Sequence, residues 1–377
     1  MTEPGTPLSH PLTGWRRLPF ARAMGLYVAV RLITLAMVLV NDAFTNQGLV
    51  AHLSTWDGAW FLQAVRHGWP SHLPHAQGHV LANPIAFFPL FPLAIRAVAA
   101  VTTLSAAVVG IWLSAVAGLT AVVGVGLLTA EFTDRDRGER AALLFALAPG
   151  SFVFNLIYND GLLITFCALS LWALLRRRWR LAGVIGVLAT ATSPVGLILA
   201  LSCVVSAGLA IARRREWRAL AAPLLAPLGF FAWMGYLWAH TGEPWAWRIT
   251  EHDGWQSYPS LLYPLRVLAK FITNPLSPTM TGQILFAGTV VAVALLVVAF
   301  REHQPIELLT FATGALVLFA VSAPVGLRPR FIMLAFPLTI AAATRWSGRR
   351  FQLVLTTSAI LLALMTIESF SSFAVFP

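Results

Sequence analysis

Residues 106–130 read AAVVGIWLSAVAGLTAVVGVGLLTA, a run of 25 residues without a charged side chain. A helix needs about 20 apolar residues to cross the hydrocarbon core of a bilayer, so this stretch predicts a transmembrane helix. Similar segments recur along the chain, which is 58% hydrophobic and 11% charged, whereas soluble domains carry roughly 25% charged residues. The sequence therefore predicts a single all-α, polytopic membrane domain over residues 1–377.

The apolar segments predict about eleven membrane spans, within a range of ten to twelve. The expected spans are residues 24–40, 106–130, 141–158, 162–175, a helix pair or re-entrant hairpin within 181–212, 220–239, 284–300, 306–323, 331–343 and 351–370. Ser193-Pro194 is expected to break the pair. Residues 84–101 are apolar but contain three prolines and Arg96, and both a crossing and a non-crossing segment fit them.

The net charge of +11 comes mainly from arginines clustered between apolar segments. The clusters are Arg16, Arg17 and Arg22, and those within residues 176–180, 213–218 and 345–350. This distribution is typical of cytoplasmic loops facing anionic lipids, and it argues against a nucleic-acid partner. Eleven spans place the N-terminus and every cluster in the cytoplasm, and the polar loops 41–81 and 240–282 outside. Cys167 and Cys203 lie in apolar runs and predict packing residues, not a disulfide.

The first outer loop holds a carboxylate between aromatic residues, in Ser54-Thr55-Trp56-Asp57-Gly58-Ala59-Trp60-Phe61. Only one other acidic residue lies between Glu3 and Glu131. Desolvation by neighbouring rings increases the proton affinity of a carboxylate and suits it to act as a base. The residues after Trp56 predict a helix along the membrane interface. Asp57 could also serve as the cap of that helix, and the two roles are compatible.

Four motifs resemble the PIG-V-like mannosyltransferases. They are WDGAWFLQAVRHGW at 56–69, AFFPLFPLAIR at 86–96, YNDGL at 158–162 in place of the family's Tyr-Ser-Glu-Ser-Leu, and Arg330-Phe331 followed by Phe336-Pro337-Leu338. Asp160 occupies the acidic position of the third motif. One segment departs from the pattern, because relatives have Arg-Pro-x-Gly where this chain has Ser193-Pro194-Val195-Gly196, which removes a positive charge.

The resemblance implies a GT-C-type glycosyltransferase with a lipid-phosphate sugar donor and Asp57 as base. A sugar on a lipid phosphate leaves as an anion, so no acid is needed to protonate the leaving group. Arg328 and Arg330, in the predicted outer loop 327–330, are expected to bind the donor phosphate, since a guanidinium suits phosphate geometry. The alternative for both is interfacial snorkelling. Asp160 is expected to orient the donor or Asp57.

Other residues are predicted to support this site. Arg31 lies mid-way along the first span, where a charge costs upwards of about 2.5 kcal/mol. It is expected to pair with an acid, and Asp160 is one possible partner. The pair could be structural, or Arg31 could have a catalytic role. The remaining candidates for donor, acceptor or supporting contacts are Trp56, Arg66, His67, Tyr158, Asn159, Trp247, Arg248 and Glu251. Tryptophans stack on sugars but also gather at membrane interfaces without a ligand.

No cofactor is expected. His67, His72, His75 and His79 lie in the first outer loop, but their spacing follows no common metal-ligand pattern. A divalent ion held through Asp57 and Asp160 stays an alternative.

The function implied by the resemblance is an inverting mannosyltransferase that uses polyprenyl-phosphate-mannose. Its acceptor would be a glycolipid, lipoglycan or protein outside a bacterial plasma membrane, and the Ala-, Leu- and Arg-rich composition suggests an actinobacterium. One alternative is a transporter or flippase of a lipid-linked or anionic substrate, which needs charges through both leaflets and often has repeated halves. Another is a non-catalytic subunit of an envelope-glycan complex, for which Asp57 would be dispensable.

Overall fold

The computed structural model describes residues 20–46, 48–273 and 280–371, and these are mostly helical. The helices are α1 (Ala21–Thr45), α2 (Leu49–Leu53), α3 (Asp57–His67), α4 (Leu90–Val101), α5 (Ala106–Phe132), α6 (Arg135–Ala146), α7 (Asp160–Leu175), α8 (Trp179–Thr192), α9 (Gly196–Arg214), α10 (Ala221–Leu225), α11 (Leu228–Thr241), α12 (Ala246–Ile249), α13 (Tyr263–Thr273), α14 (Met280–Arg301), α15 (Ile306–Val321), α16 (Pro329–Leu334), α17 (Pro337–Arg345) and α18 (Gly348–Ser371). Four two-residue strands form two antiparallel pairs, β1 (His75–Ala76) with β2 (His79–Val80) and β3 (Tyr258–Pro259) with β4 (Ser322–Ala323). Arg16 and Arg17 of the predicted N-terminal cluster lie outside the described residues.

The described residues contain six helical segments long and apolar enough to cross a membrane. They are Ala21–Ala43, Ala106–Phe132, Gly196–Arg214, Trp217–Thr241, Gly282–Arg301 and Gly348–Phe370. A 3-10 helix, Pro149–Asn155, meets α7 at 116° and gives a seventh span if the two count as one. Helices α4, α8 and α15 are apolar but shorter. The all-α, multi-pass membrane architecture is confirmed, but the count of eleven spans is not.

Two predicted spans are broken by proline. Residues 141–158 do not form one helix, because α6 ends at Ala146 and Pro149 begins the 3-10 helix. Residues 331–343 divide between α16 and α17, and Pro337 begins the second of these. Proline lacks the N–H that a continuing helix would use, so it is tolerated in the first turn of a helix and not in its interior.

The predicted break at Ser193-Pro194 is present. Helix α8 ends at Thr192 and α9 begins at Gly196. The side-chain amide of Asn159 donates to the Thr192 carbonyl oxygen at 2.7 Å. This bond satisfies one of the carbonyls left free at the end of α8, and it ties that end to the start of α7.

Residues 84–101 form a short 3-10 helix, Pro84–Ala86, and one α-helix, α4, of 12 residues. At 1.5 Å per residue it is about 18 Å long, which is less than the roughly 30 Å of a hydrocarbon core. Arg96 on α4 donates to the backbone oxygens of Ala64 and Val65, at 3.3 and 2.7 Å from Nη2. A cation bonded to the last carbonyls of a helix is favourable, so α4 stabilises the far end of α3.

Close approach of α5 and α7 fixes the position at which α7 begins. A Cβ atom on Gly161 would lie 2.6 Å from the backbone nitrogen of Gly118 and 2.8 Å from the carbonyl carbon of Ala117. Only a residue without a side chain allows two membrane helices to come this near. Because Gly161 directly follows Asp160, this contact also places the Asp160 carboxylate.

Replacing Gly161 by Ala is expected to destabilise the fold by about 1–3 kcal/mol, because the added methyl group meets backbone that cannot give way. Gly208 on α9 is a matched control, since a Cβ there would meet nothing within 4 Å. Ala at that helical position should be neutral or stabilising by up to about 1 kcal/mol. Thermal unfolding in detergent would measure both effects. Equal melting temperatures for the two variants would contradict the close contact.

Candidate active site

Asp57, Asp160 and Arg330 form an ion-pair network where α3, α7 and α16 meet. Nη1 of Arg330 donates to Oδ2 of Asp57 at 2.8 Å, and Nε donates to Oδ1 of Asp160 at 3.0 Å. The side chains are 11% exposed for Arg330, 27% for Asp57 and 2% for Asp160. One guanidinium thus holds two carboxylates, one buried and one partly exposed.

Asp57 occupies the first position of α3, as the sequence predicts for a helix that starts there. Its side chain does not cap this helix, because no side-chain cap hydrogen bond is present at the α3 N-terminus and the carboxylate binds Arg330. Trp56, before it, has a left-handed φ of 53°. Such a backbone costs a residue with a side chain on the order of 1–3 kcal/mol. The strained turn at Trp56 directs the chain so that Asp57 faces the network.

Tyr158 packs its ring against the guanidinium of Arg330. Its buried ring centre lies 4.4 Å from the guanidinium carbon of Arg330, a cation–π contact. Its hydroxyl oxygen accepts the backbone N–H of Asp57 at 3.4 Å. The YNDGL motif therefore supplies both a ring and a carboxylate to Arg330.

The first and second predicted outer loops pack together beside Asp57. Trp60 on α3 contacts Trp255 edge-on, with ring centres 5.1 Å apart. The indole N–H of Trp255 donates to the Asn83 carbonyl oxygen at 3.3 Å, and the Asn83 amide donates to the Thr250 hydroxyl at 3.3 Å. These contacts join Trp255 and the π-helical turn before it, Thr250–Gly254, to α3 and to Asn83.

That π-helical turn carries a third carboxylate, Glu251, within electrostatic reach of Asp57. Burial and the negative charge of Asp57 raise the pKa of Glu251 from 4.5 to about 7, against a hydrogen bond with Ser257 that lowers it. Glu251 can therefore exchange a proton near neutral pH, which is a property of groups at reactive sites.

The raised pKa of Glu251 gives a testable pH dependence of stability. Between pH 4.5 and about 7 the folded protein binds more protons at this carboxyl than the unfolded chain does, so its contribution to stability falls as pH rises through this window. Replacing Glu251 by Gln removes the titration. We expect equal stabilities near pH 4.5 and, at pH 8, a variant more stable by up to about 3 kcal/mol. Melting temperatures across this range test it, and parallel curves would contradict it.

Arg328 and Arg330 occupy different environments. Arg330 is the second residue of α16 and binds both acids, so its first role is to hold carboxylates. Arg328 precedes the helix and lines a cavity of about 560 Å³. The phosphate prediction thus stays open for both, with Arg328 better placed to meet a ligand. Arg266 and Lys270 line the same cavity, and the sequence interpretation missed them, although PLRVLAKFI at 264–272 has an amphipathic helical pattern that could have indicated them.

The prediction that Arg31 pairs with an acid, with Asp160 as one possible partner, is wrong. Arg31 is 6% exposed and donates to both the backbone oxygen and the hydroxyl of Ser151. Its guanidinium also lies 5.2 Å from the ring centre of Tyr27. No ion pair with an acid is present among the residues described. A carbonyl, a hydroxyl and aromatic faces surround this guanidinium in place of an acid, and Asp160 instead binds Arg330.

Several predicted supporting residues lie away from the network. Arg66 and His67 are exposed in the last turn of α3, about 14 Å along the helix from Asp57 at 1.5 Å per residue. Arg248 is exposed on α12.

Two further predicted supporting residues, Asn159 and Trp247, pack against neighbouring helices. Asn159 bonds to the end of α8, and Trp247 contacts the rings of Phe88 and Phe230, with centres 6.0 and 5.8 Å away. Both contacts are those of structural residues. Within the described part of the chain, no three His, Cys, Asp or Glu side chains are placed to hold a metal ion. Cys167 and Cys203 are buried free thiols.

A sequence model of the mannosyltransferase (PIG-V) family matches residues 25–218, which is more than half of the chain. The chain belongs to the PIG-V mannosyltransferase family. The family match covers Asp57, Tyr158 and Asp160, whereas Arg330 lies beyond it. The resemblance found in the sequence motifs is confirmed. A comparison with curated protein sequences found no match.

Solved structures show the fold of this family member. ArnT from Cupriavidus metallidurans bound to undecaprenyl phosphate is 18% identical, with 90% of this chain and 63% of that chain covered and a TM-score of 0.57. The apo state of the same protein is 16% identical, with 93% of this chain and 65% of that chain covered and a TM-score of 0.55. The apo oligosaccharyltransferase of Archaeoglobus fulgidus is 14% identical, with 96% of this chain and 56% of that chain covered and a TM-score of 0.52. The chain therefore has a GT-C glycosyltransferase fold and spans less than two thirds of the length of these neighbours.

Proposed function

We propose that this protein is an inverting mannosyltransferase that moves mannose from polyprenyl-phosphate-mannose to an acceptor hydroxyl outside a bacterial plasma membrane. The observation that carries the proposal is the Asp57–Arg330–Asp160 network, in which Asp57 is the most exposed side chain. Membership of a mannosyltransferase family and the GT-C fold support it. The acceptor class is a glycolipid, lipoglycan or protein.

In the proposed reaction Asp57 takes the proton of the acceptor hydroxyl. The acceptor oxygen attacks the anomeric carbon of mannose on the face opposite the phosphate, and the bond from that carbon to the phosphate oxygen breaks. The electron pair leaves with polyprenyl phosphate, which is stable as an anion and needs no proton from the protein. A single displacement inverts the anomeric centre. Arg330 and Asp160 keep the Asp57 carboxylate in one orientation, which lowers the entropic cost of reaching the reactive geometry.

Cations near the leaving phosphate would stabilise the charge that develops on it. Arg328 is two residues before Arg330 in sequence and lines the cavity of about 560 Å³. No metal ion is included in this mechanism, because the charge of the departing phosphate can be met by side-chain cations. A divalent ion bound through the two aspartates stays an alternative, and the effect of a chelator on transfer would distinguish the two.

The test is sugar transfer in membranes that lack the native protein and carry the restored gene or an empty vector. The donors are radiolabelled polyprenyl-phosphate-mannose, polyprenyl-phosphate-glucose and GDP-mannose. We expect transfer only from the first donor, and product analysis by NMR should show an inverted anomeric centre. Transfer from GDP-mannose, or retention of configuration, would refute the proposed donor or mechanism. Transbilayer movement of the lipid without sugar transfer would support a flippase, and transfer equal to the empty vector would support a non-catalytic subunit.

A further inference from the structure

The segment between α6 and α7 contacts the helix that carries Arg330. Residues 150–158 are all buried, and most of them belong to the 3-10 helix Pro149–Asn155, which we call the bridging helix. A Cβ atom on Gly150 would lie 2.5 Å from the carbonyl oxygen of Pro329 and 2.7 Å from the Cα atom of Arg330. These distances leave no room for a side chain, so the backbone of the bridging helix lies directly against the first turn of α16. A shift of the bridging helix therefore moves Arg330.

The far end of the same segment contacts the chain on both sides of the network. The backbone N–H of Ile157 donates to the carbonyl oxygen of Leu53 at 3.2 Å, four residues before Asp57. Tyr158 then packs its ring on the cation and accepts the backbone N–H of Asp57. Asp160 begins α7 two residues later. One buried segment thus contacts or continues into the elements of all three charged residues.

Arg31 and Asn155 join the bridging helix to α1. The guanidinium of Arg31 donates to the carbonyl oxygen of Ser151 and, from Nη2, to its hydroxyl at 3.1 Å. The Asn155 amide donates in return to the carbonyl oxygen of Arg31 at 3.1 Å. The ring centre of Phe154 lies 5.8 Å from the guanidinium carbon. Three residues on one side of the bridging helix therefore contact a single residue in the middle of α1.

The charge of Arg31 makes this junction stiff. A buried donor that loses its acceptor bears the full cost of its desolvation, and hydrogen bonds from a charged group are stronger than neutral ones. Sliding of the bridging helix would separate Ser151 from the guanidinium, and Ser151 directly follows Gly150. The bonds that satisfy Arg31 therefore also hold Gly150 against α16. An apolar side chain would avoid the cost of a charge within the membrane, so these directional bonds are what the arginine adds.

We propose that Arg31 is a positioning residue of the reactive centre: its bonds to Ser151 fix the bridging helix, which in turn fixes Arg330 within the ion-pair network. The inference rests on the proposed function, because it assigns Arg31 a part in the same reaction. Arg31 acts through the bridging helix and not by contact with the sugar or the phosphate. The expected consequence of its loss is slower transfer with little change in donor affinity, since the displaced group belongs to the reactive geometry.

Kinetics of two Arg31 variants test this role in the full-length protein in detergent. Arg31→Lys keeps the charge, but an ammonium group lacks the planar fork that reaches both oxygens of Ser151. We expect kcat for transfer from polyprenyl-phosphate-mannose to fall about tenfold, and about a hundredfold for Arg31→Met, because a misplacement of about 1 Å can cost on the order of 10²-fold. KM for the donor should stay within about twofold of the wild-type value in both variants.

Gly150→Ala approaches the same contact from the other side. Its methyl group meets the backbone of α16 directly, so we expect a lower kcat and a nearly unchanged KM, as for Arg31→Lys. In the double variant the two losses in kcat should combine to less than their product, because both displace the same residue.

Tyr27→Phe is the matched control on α1. The Tyr27 hydroxyl donates to the Ala115 carbonyl oxygen on α5 at 2.7 Å, and the substitution removes this bond but keeps the ring beside Arg31. Loss of one such bond should lower the melting temperature by roughly 2–4 °C. Transfer should keep its wild-type kcat, because the bridging helix is not displaced.

A stability measurement tests the same connection without sugar transfer. Arg330→Gln is introduced into the wild type, into Arg31→Lys and into Tyr27→Phe, and the loss in melting temperature is compared. We expect the loss in the Arg31→Lys background to be about half of that in the wild type, because effects that share a backbone contact are not additive. In the Tyr27→Phe background the loss should equal that in the wild type.

Three outcomes would overturn the inference. The first is a wild-type kcat in Arg31→Lys. The second is a raised KM at an unchanged kcat, which would make Arg31 a ligand-binding group. The third is an equal loss of melting temperature on Arg330→Gln in all three backgrounds.

The two proposals fail separately. If the wild type transfers mannose and any of these three outcomes occurs, the proposed function stands without this role of Arg31. If the stability effects are coupled but no sugar is transferred, the connection from Arg31 to Arg330 stands and the proposed function fails.

Discussion

Replacing Asp57 by Asn is expected to abolish mannosyl transfer while the protein stays folded. The amide keeps the shape of the carboxylate but cannot take the proton of the acceptor hydroxyl. Loss of a general base costs on the order of 10²–10⁴-fold in rate. The measurement is transfer from radiolabelled polyprenyl-phosphate-mannose, normalised to the amount of protein in the membrane.

Asp253→Asn is the matched control for this experiment. Asp253 belongs to the same packed loop region, but its carboxylate pairs with His252 and is 41% exposed. The control variant should transfer mannose at the wild-type rate. Wild-type transfer by Asp57→Asn would remove Asp57 from the mechanism. A melting temperature far below that of the wild type would instead show that the lost ion pair, and not the lost base, explains the inactivity.

Replacing Arg330 by Gln should have the largest effect on stability. Both Asp57 and Asp160 lose their cation, and Asp160 is 2% exposed. Removing one partner of a buried ion pair typically costs about 3–5 kcal/mol, because the other charge is left without compensation. We expect a strongly lowered melting temperature in detergent and loss of transfer.

A double variant separates the charge effect from lost packing. Asp160→Asn together with Arg330→Gln removes the buried charge as well as its partner, so part of the stability should return. Transfer should not return, since Asp57 is no longer held. Arg248→Gln, at an exposed position of α12, is the control and should melt like the wild type. A single Arg330→Gln variant as stable as this control would contradict the network.

Local sequence signals predicted much of the fold. The start of α3 at Asp57 and the break at Ser193-Pro194 follow from short-range backbone preferences. The motifs at 56–69 and 158–162 identified the family and placed Asp57 and Asp160 near each other. Each of these features depends on residues close in sequence, where propensity and hydrophobic pattern carry information.

Features that depend on distant pairing were not predicted. Asp57 and Arg330 are 273 residues apart, and no local pattern shows which of several arginines meets which acid. Arg31 was assigned an acidic partner because a charge in a span needs compensation, yet a serine backbone oxygen and aromatic rings supply it. The count of eleven spans is not confirmed for a related reason, since hydropathy does not show where Pro149 and Pro337 divide an apolar run.

The long separation within the ion-pair network has a consequence for biosynthesis. The ribosome completes Asp57 and Asp160 long before Arg330, which follows them by 273 and 170 residues. Until then both carboxylates are without their cation, and Asp160, which is 2% exposed in the folded protein, cannot be buried without leaving a charge uncompensated. Translation of α16 therefore supplies the cation for both carboxylates and completes the ion-pair network in one event.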